Sequence, residues 1–317
     1  MARGPLFEAP LYVGWQLTNE CNLSCLHCIE ESGPGKAFPD ELGREQALDV
    51  LGRLARAQVP YLSLSGGEPL LHGAFWELAE AAAAAGIEVK IETNGHLLSP
   101  EGCARLRRIG VGAVQVSLDG AARASYERLR ARGSWDKALA SIRELRRAGV
   151  SVEINFSPAK FNAGEIAEAV DLAFHLGAVG FYTGRTIIAG RAARTRGLLE
   201  PSAEQYEEFF KNLREKARQY EGRMRVCYHE MGLVEELKYR LENPAALFII
   251  LPNGKVKLIN ALPFVCGDLR RQSVGEVWKA FLEGWRSPEV AEFVHALERD
   301  PGMIGRLHEW TEVPLRP

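Results

Sequence analysis

The chain has 317 residues, of which 46% are hydrophobic and 25% charged, enough apolar material for a large barrel or for one domain with a small appendage. Its formal net charge of −2 gives no electrostatic reason to expect nucleic acid as a partner. No apolar run approaches the roughly eighteen residues a membrane span needs, so no membrane partner is expected either.

The opening MARGPLFEAPLYVG mixes a basic residue, an acid and prolines without a continuous apolar stretch, and does not read as a secretory signal. A first strand is expected at 12–18 (YVGWQLT), and directly after it Cys21, Cys25 and Cys28 fall in the spacing CxxxCxxC. Six cysteines so unevenly spread do not suggest a disulfide framework, and point to the reducing cytoplasm. A helix at 43–58 leads to a strand at 60–66, which runs into Ser65-Gly66-Gly67-Glu68-Pro69. A helix at 73–86 and a strand at 87–93 follow, the strand ending in Glu92-Thr93-Asn94-Gly95. Cys103 sits inside the apolar pattern EGCARLRRIG and reads as a small core residue. The fourth strand, 112–119, ends in Ser117-Leu118-Asp119-Gly120; then come a helix at 134–149 and strands at 150–156 and 178–184.

Each strand candidate is short, rich in Val, Ile and aromatics, and bounded by Gly, Asn or Pro. Gly86, Gly110, Gly149 and Gly177 follow helical runs, where a left-handed cap is wanted. Six βα units in series imply parallel strands with right-handed crossovers. The expected fold class is therefore α/β, a partial TIM-like (β/α)6 barrel plus a small α+β appendage. Two further units would complete eight, and the remaining sequence does not clearly supply them.

After about residue 200 the rhythm changes. A charged helix (202–220) precedes RMRVCYHEMG. FIILPNGKVKLI (248–259) then reads as a hairpin around Pro-Asn-Gly, followed by helices at 273–285 and near PEVAEFVHAL. The expected division is a core over 1–195 and an extension over 196–317.

Three thiols in the loop after the first strand lie where α/β folds keep their chemistry. Soft thiolates at short spacing bind zinc or iron–sulfur clusters. Structural zinc wants four closed ligands, and His27, adjacent to Cys28, cannot easily join the same tetrahedron. A [4Fe–4S] cluster with three protein ligands accounts for the count and leaves one iron open to an exogenous ligand.

At this motif the sequence resembles the radical S-adenosylmethionine (SAM) superfamily, whose open iron chelates the amino and carboxylate groups of SAM. The resemblance continues at Gly66-Gly67-Glu68, which matches the stretch holding the SAM amine, and at Asn94 in the family's "TNG". Ser117 and Asp119 match its "S-x-DG", with Ser117 facing the ribose, and Arg130 matches the arginine that pairs the SAM carboxylate. His27 stands where the family has an aromatic near the adenine, and Arg185 opens the segment RTIIAGRA on the adenine side. For Arg130 and Arg185 a solvated or salt-bridged surface role is the competing reading, and for His27 simple packing. The resemblance implies an enzyme of the oxidoreductase or maturase class. It cleaves SAM reductively to a 5′-deoxyadenosyl radical that abstracts hydrogen from a substrate, and draws its electron from a low-potential flavodoxin- or ferredoxin-type donor.

The C-terminal run also resembles the SPASM or twitch extension of peptide- and cofactor-maturing members, through Leu251-Pro252-Asn253-Gly254, Cys266-Gly267-Asp268-Leu269, Ser273, Glu276 and Trp278. Its cysteines are mostly missing: Leu258 takes a cluster cysteine's place, and none follows Cys266. The expectation is a scaffold without auxiliary clusters, against a site made by Cys227, Cys266 and His229. By analogy the substrate is a ribosomal peptide or cofactor precursor; the alternative is a small molecule undergoing decarboxylation, epimerisation or tetrapyrrole modification. Cys103, Cys227 and Tyr182 are the candidates for a second hydrogen donor. A non-catalytic zinc-binding scaffold or metal carrier is the reading from another class.

Overall fold

The computed structural model describes residues 7–313, so the first six residues of the segment read as lacking a secretory signal lie outside the described part. The strands are β1 (Tyr12–Gln16), β2 (Tyr61–Ser65), β3 (Glu88–Thr93), β4 (Ala113–Ser117), β5 (Val152–Phe156), β6 (Gly180–Gly184), β7 (Arg225–His229), β8 (Leu247–Ile250), β9 (Lys255–Lys257), β10 (Phe264–Asp268) and β11 (Thr311–Glu312). All six strands expected in the N-terminal half form, and the expected α/β class with parallel strands holds. Gly86, Gly110, Gly149 and Gly177 take the left-handed conformation just beyond their helices.

The chain folds into two compact units that interleave in sequence: residues 1–19, 37–89 and 233–317 make one, residues 20–36 and 90–232 the other. They do not follow the sequence division at 195. The reason is that strands after residue 200 pair with strands before it.

In the first unit β1 runs parallel to β2 on one side and to β8 on the other, with Tyr12 opposite both Tyr61 and Leu247. The expected hairpin is present, β8 antiparallel to β9 through Pro252-Asn253-Gly254, but its first strand also extends the parallel pairing. An all-apolar LFII suits that, because a parallel strand is covered on both faces. Helix Arg44–Arg56 buries Ala47, Val50, Leu51 and Leu54 at helical spacing. Helix Val274–Gly284 starts on a capping box between Ser273 and Glu276, and stacks Trp278 on Phe281 with ring centroids 5.1 Å apart.

In the second unit, β3 from Lys90 onward, β4, β5, β6 and β7 pair parallel in sequence order. Side chains alternate between the faces. Val114, Val116, Ile154, Phe156 and Phe181 are buried apolar positions, and Phe156 stacks on Phe209 of helix Ala203–Gln219. The opposite phase holds Lys90, Gln115, Glu153, Asn155 and Tyr182, a polar face. There Glu153 receives Lys90 Nζ at 2.9 Å, Tyr182 Oη at 2.9 Å and Arg225 Nη2 at 2.8 Å. No described helix is long and apolar enough to cross a membrane.

Candidate cofactor site

The three clustered cysteines lie in a segment without helix or strand, so their placement depends on what grips it. Glu20 bridges to Gly33, and its carboxylate accepts the N–H groups of Gly35 and Lys36 at 2.8 and 2.9 Å. Further on, Ser24 N–H donates to Ala131 O at 3.0 Å and Leu26 N–H to Leu129 O at 2.9 Å. The loop is thereby laid along the backbone either side of Arg130. Cys21, Leu23 and Cys25 form one buried cluster, with Cys28 packed against it.

Two side chains aim N–H groups at these sulfurs. Asn94, just past β3, donates to Asn22 Oδ1 at 2.9 Å and stands 3.9 Å from Cys21 Sγ. Arg130 Nη1 stands 3.7 Å from Cys25 Sγ. Burial pushes the Cys25 thiol up to about 11, with the Arg130 charge pulling the other way. A charged donor beside a buried sulfur favours the thiolate, the form that binds metal.

Arg130 is itself held. Its Nε donates to Asp119 Oδ2 at 2.6 Å, and the two side chains are 8% and 0% exposed. Burial works against the guanidinium charge, but Asp119, Cys25 and Tyr126 together outweigh it and keep the group above its ordinary range. The remaining oxygen of Asp119 accepts Ser157 N–H at 2.8 Å, and Asn162 Nδ2 donates to the Asp119 carbonyl at 2.8 Å. His27 Nε2 lies 3.4 Å from Asp119 Oδ2. Burial lowers its pKa to about 4 against the pull of the carboxylate, so the ring is neutral. Its Nδ1 is buried with no partner among the described residues. The ring lines a cavity of about 310 Å³ with Asn155, Ser157, Tyr182, Arg185 and Thr186. Cys21, Cys25, Cys28, His27, Asn94, Asp119 and Arg130 are therefore brought together in one unit, with Arg130 salt-bridged as the competing reading had it, but buried and not at the surface. Ser117 ends β4 in register with Asn155. Arg185 is exposed; its Nε donates to Glu230 O at 2.7 Å and its guanidinium lies over the Tyr206 ring at 4.3 Å.

Gly66, Gly67 and Glu68 belong to the other unit. Gly66 has φ 131°, and a Cβ there would lie 2.5 Å from Thr18 O. Gly67 N–H donates to that same carbonyl at 2.7 Å. Thr18 Oγ1 and Asn19 N–H each donate to Glu41, both at 2.7 Å. The end of β1 is thus tied to the turn after β2, and only glycine allows the approach. Glu68 is fully buried, and its side chain accepts Leu70 N–H.

Cys103 and Cys266 behave as packing residues. Cys103 is fully buried, and burial raises it to about 11. Cys266 is buried too and donates to Val256 O at 3.4 Å. Leu258, which takes the place of the cluster cysteine of the resembled extension, is buried in apolar contact with helix Val274–Gly284. Among the described residues no three His, Cys, Asp or Glu side chains are grouped so as to hold a metal ion. A cubane asks for a different arrangement, one thiolate on each of three irons. Three cysteines packed on one another, with N–H donors beside two of the sulfurs, fit that donor set. Sequence reading assigned no part to Asn22, Asn162 or Arg191, and nothing local marked their contacts.

Residues 15–173 match the model of the radical SAM superfamily. Over 204 residues the chain is 37% identical to mycofactocin maturase MftC of Mycolicibacterium smegmatis, which covers 64% of this chain and 51% of that protein, so the chain spans about half the length of that relative. Over 290 residues it is 30% identical to the AdoMet-dependent heme synthase of Methanosarcina barkeri, covering 86% of this chain and 83% of the synthase. Among solved structures, Streptococcus suis SuiB bound to S-adenosylmethionine superposes with a TM-score of 0.73 at 16% identity, over 88% of this chain and 68% of SuiB. SuiB bound to its precursor peptide SuiA gives the same score at 15% identity, over 89% and 68%. At such identity the likeness is one of fold.

Proposed function

The chain belongs to the radical SAM superfamily, and from that premise we propose that it is an enzyme in which Cys21, Cys25 and Cys28 hold a [4Fe–4S] cluster and SAM binds at its open iron. When bound, the cluster supplies one electron that cleaves SAM to methionine and a 5′-deoxyadenosyl radical able to abstract hydrogen from a substrate. The observation that carries this reading is the approach of Arg130 to Cys25, backed by the buried Asp119.

The chain's own residues then have distinct tasks. Arg130 and Asn94 donate toward Cys25 and Cys21 and favour their thiolates. His27, neutral and with an unused Nδ1, offers a polar edge to the cavity where the adenosyl part of SAM would lie. By the resemblance, Ser117 would face the ribose and Arg185 the adenine side, and Gly66, Gly67 and Glu68 would be assigned to the SAM amine. The polar face around Glu153, Tyr182 and Lys90 is where substrate would be oriented. The electron donor is of the flavodoxin or ferredoxin type, and the compartment is the reducing cytoplasm.

For the substrate, the peptide reading rests on SuiB with its precursor peptide and on the maturase resemblance. A second reading, a tetrapyrrole or other small molecule, is favoured by the heme synthase alignment, which extends over 86% of this chain where the maturase alignment stops at 64%. Anaerobic reconstitution tests the core of the proposal. About four irons per chain and 5′-deoxyadenosine release on reduction are expected, and Cys25→Ala should lose both while staying folded. A colourless protein holding zinc instead would mean the scaffold reading.

A further inference from the structure

Several carbonyl groups of the cysteine loop converge on one residue far along the chain. Arg191 Nη1 donates to Cys25 O at 2.7 Å, while its Nη2 donates to Glu31 O at 2.9 Å and to Ser32 O at 2.6 Å. Its backbone N–H donates to Cys28 O at 3.0 Å. The loop's own turns are long by comparison: Cys28 N–H to Cys25 O at 3.3 Å and Glu31 N–H to Cys28 O at 3.4 Å. Gly190 is fitted to the same contact. Its φ is 55°, and a Cβ there would lie 2.1 Å from Ile29 O. Thr195, one turn on, donates to Leu26 O at 3.3 Å.

We infer that Gly190-Arg191 is a clamp that positions the cluster loop, so that Arg191 acts on the cofactor through the loop backbone. A planar guanidinium has the fork needed to serve three carbonyls at once; a lysine ammonium is a compact point charge that cannot span them. The clamp sets the direction in which Cys25 and Cys28 leave the backbone, because their own carbonyls are two of those it fixes. Arg191 is thus a positioning residue.

The inference rests on the cysteines holding the cluster, but its first test does not. In the metal-free protein, amide hydrogen exchange over residues 20–36 should accelerate at least about tenfold in Arg191→Ala, as expected for lost charge-assisted bonds, with the exchange of β4 and β5 unchanged. Arg191→Lys should give an intermediate rate. After anaerobic reconstitution, the reduced-cluster electron paramagnetic resonance signal of Arg191→Lys should differ from wild type and respond less to added SAM. Gly190→Ala should resemble Arg191→Ala even though its arginine is intact. Unchanged exchange over 20–36 in Arg191→Ala, or a wild-type spectrum in Arg191→Lys, overturns the clamp. A wild-type protein that takes up no cluster overturns the cofactor reading, while the exchange comparison still decides the clamp.

Discussion

Arg130 and Asp119 form an ion pair of 2.6 Å in which neither side chain is more than 8% exposed. Each charge answers for the other, and the pair also spaces Cys25 from His27. Removing one partner leaves a buried charge uncompensated. Asp119→Ala should therefore cost about 3–5 kcal/mol in urea unfolding. The double variant Asp119→Ala/Arg130→Met should recover part of that loss while still failing to hold the cluster. A double variant as unstable as the sum of the two single changes would mean that the pair is not coupled.

His96 gives a pH dependence with a definite sign. Its Nε2 accepts Ser134 N–H at 2.8 Å and its Nδ1 donates to Asn94 O at 3.0 Å, which requires the neutral ring. Burial lowers its pKa, with Arg130 and Lys137 acting in the same direction against the Asn94 carbonyl. Below the ordinary value of 6.5 the unfolded chain therefore takes up a proton that the folded chain refuses, and stability falls as pH falls. Unfolding midpoints at pH 7.5 and 5.5 should differ more in wild type than in His96→Gln. Equal pH slopes would remove His96 from the account.

Cys266 should be dispensable for metal. Burial pushes its thiol far up, and its hydrogen goes to a backbone carbonyl, as in a core thiol. Cys266→Ala should lower stability by about 1 kcal/mol and leave the iron count of the reconstituted protein unchanged. A drop in iron would restore an auxiliary site.

Gly66→Ala should be costly in a way composition cannot explain. At φ 131°, with the new Cβ 2.5 Å from Thr18 O, the backbone must shift, at a cost of about 1–3 kcal/mol. Gly73→Ala nearby is the control, since nothing lies within 4 Å of a Cβ there. Similar losses in the two variants would show that the Thr18 approach is not what selects glycine.

The strands and helices were legible because their signals are local: apolar runs of strand length, helical spacing in 44–56 and 135–147, serine caps and glycine stops. The cysteine motif was legible for the same reason, since thiol spacing along a chain limits which metals it suits. Pairing was not legible. Whether LFII closes a hairpin only or also lies parallel to β1 depends on the far edge of a sheet, and no window of sequence contains that edge. Nor could sequence say what holds the cysteine loop. Its carbonyls are neutral and identical in every residue, and their donor lies about 160 positions away. Side-chain chemistry is written along the chain, whereas the satisfaction of backbone groups is decided when distant segments meet.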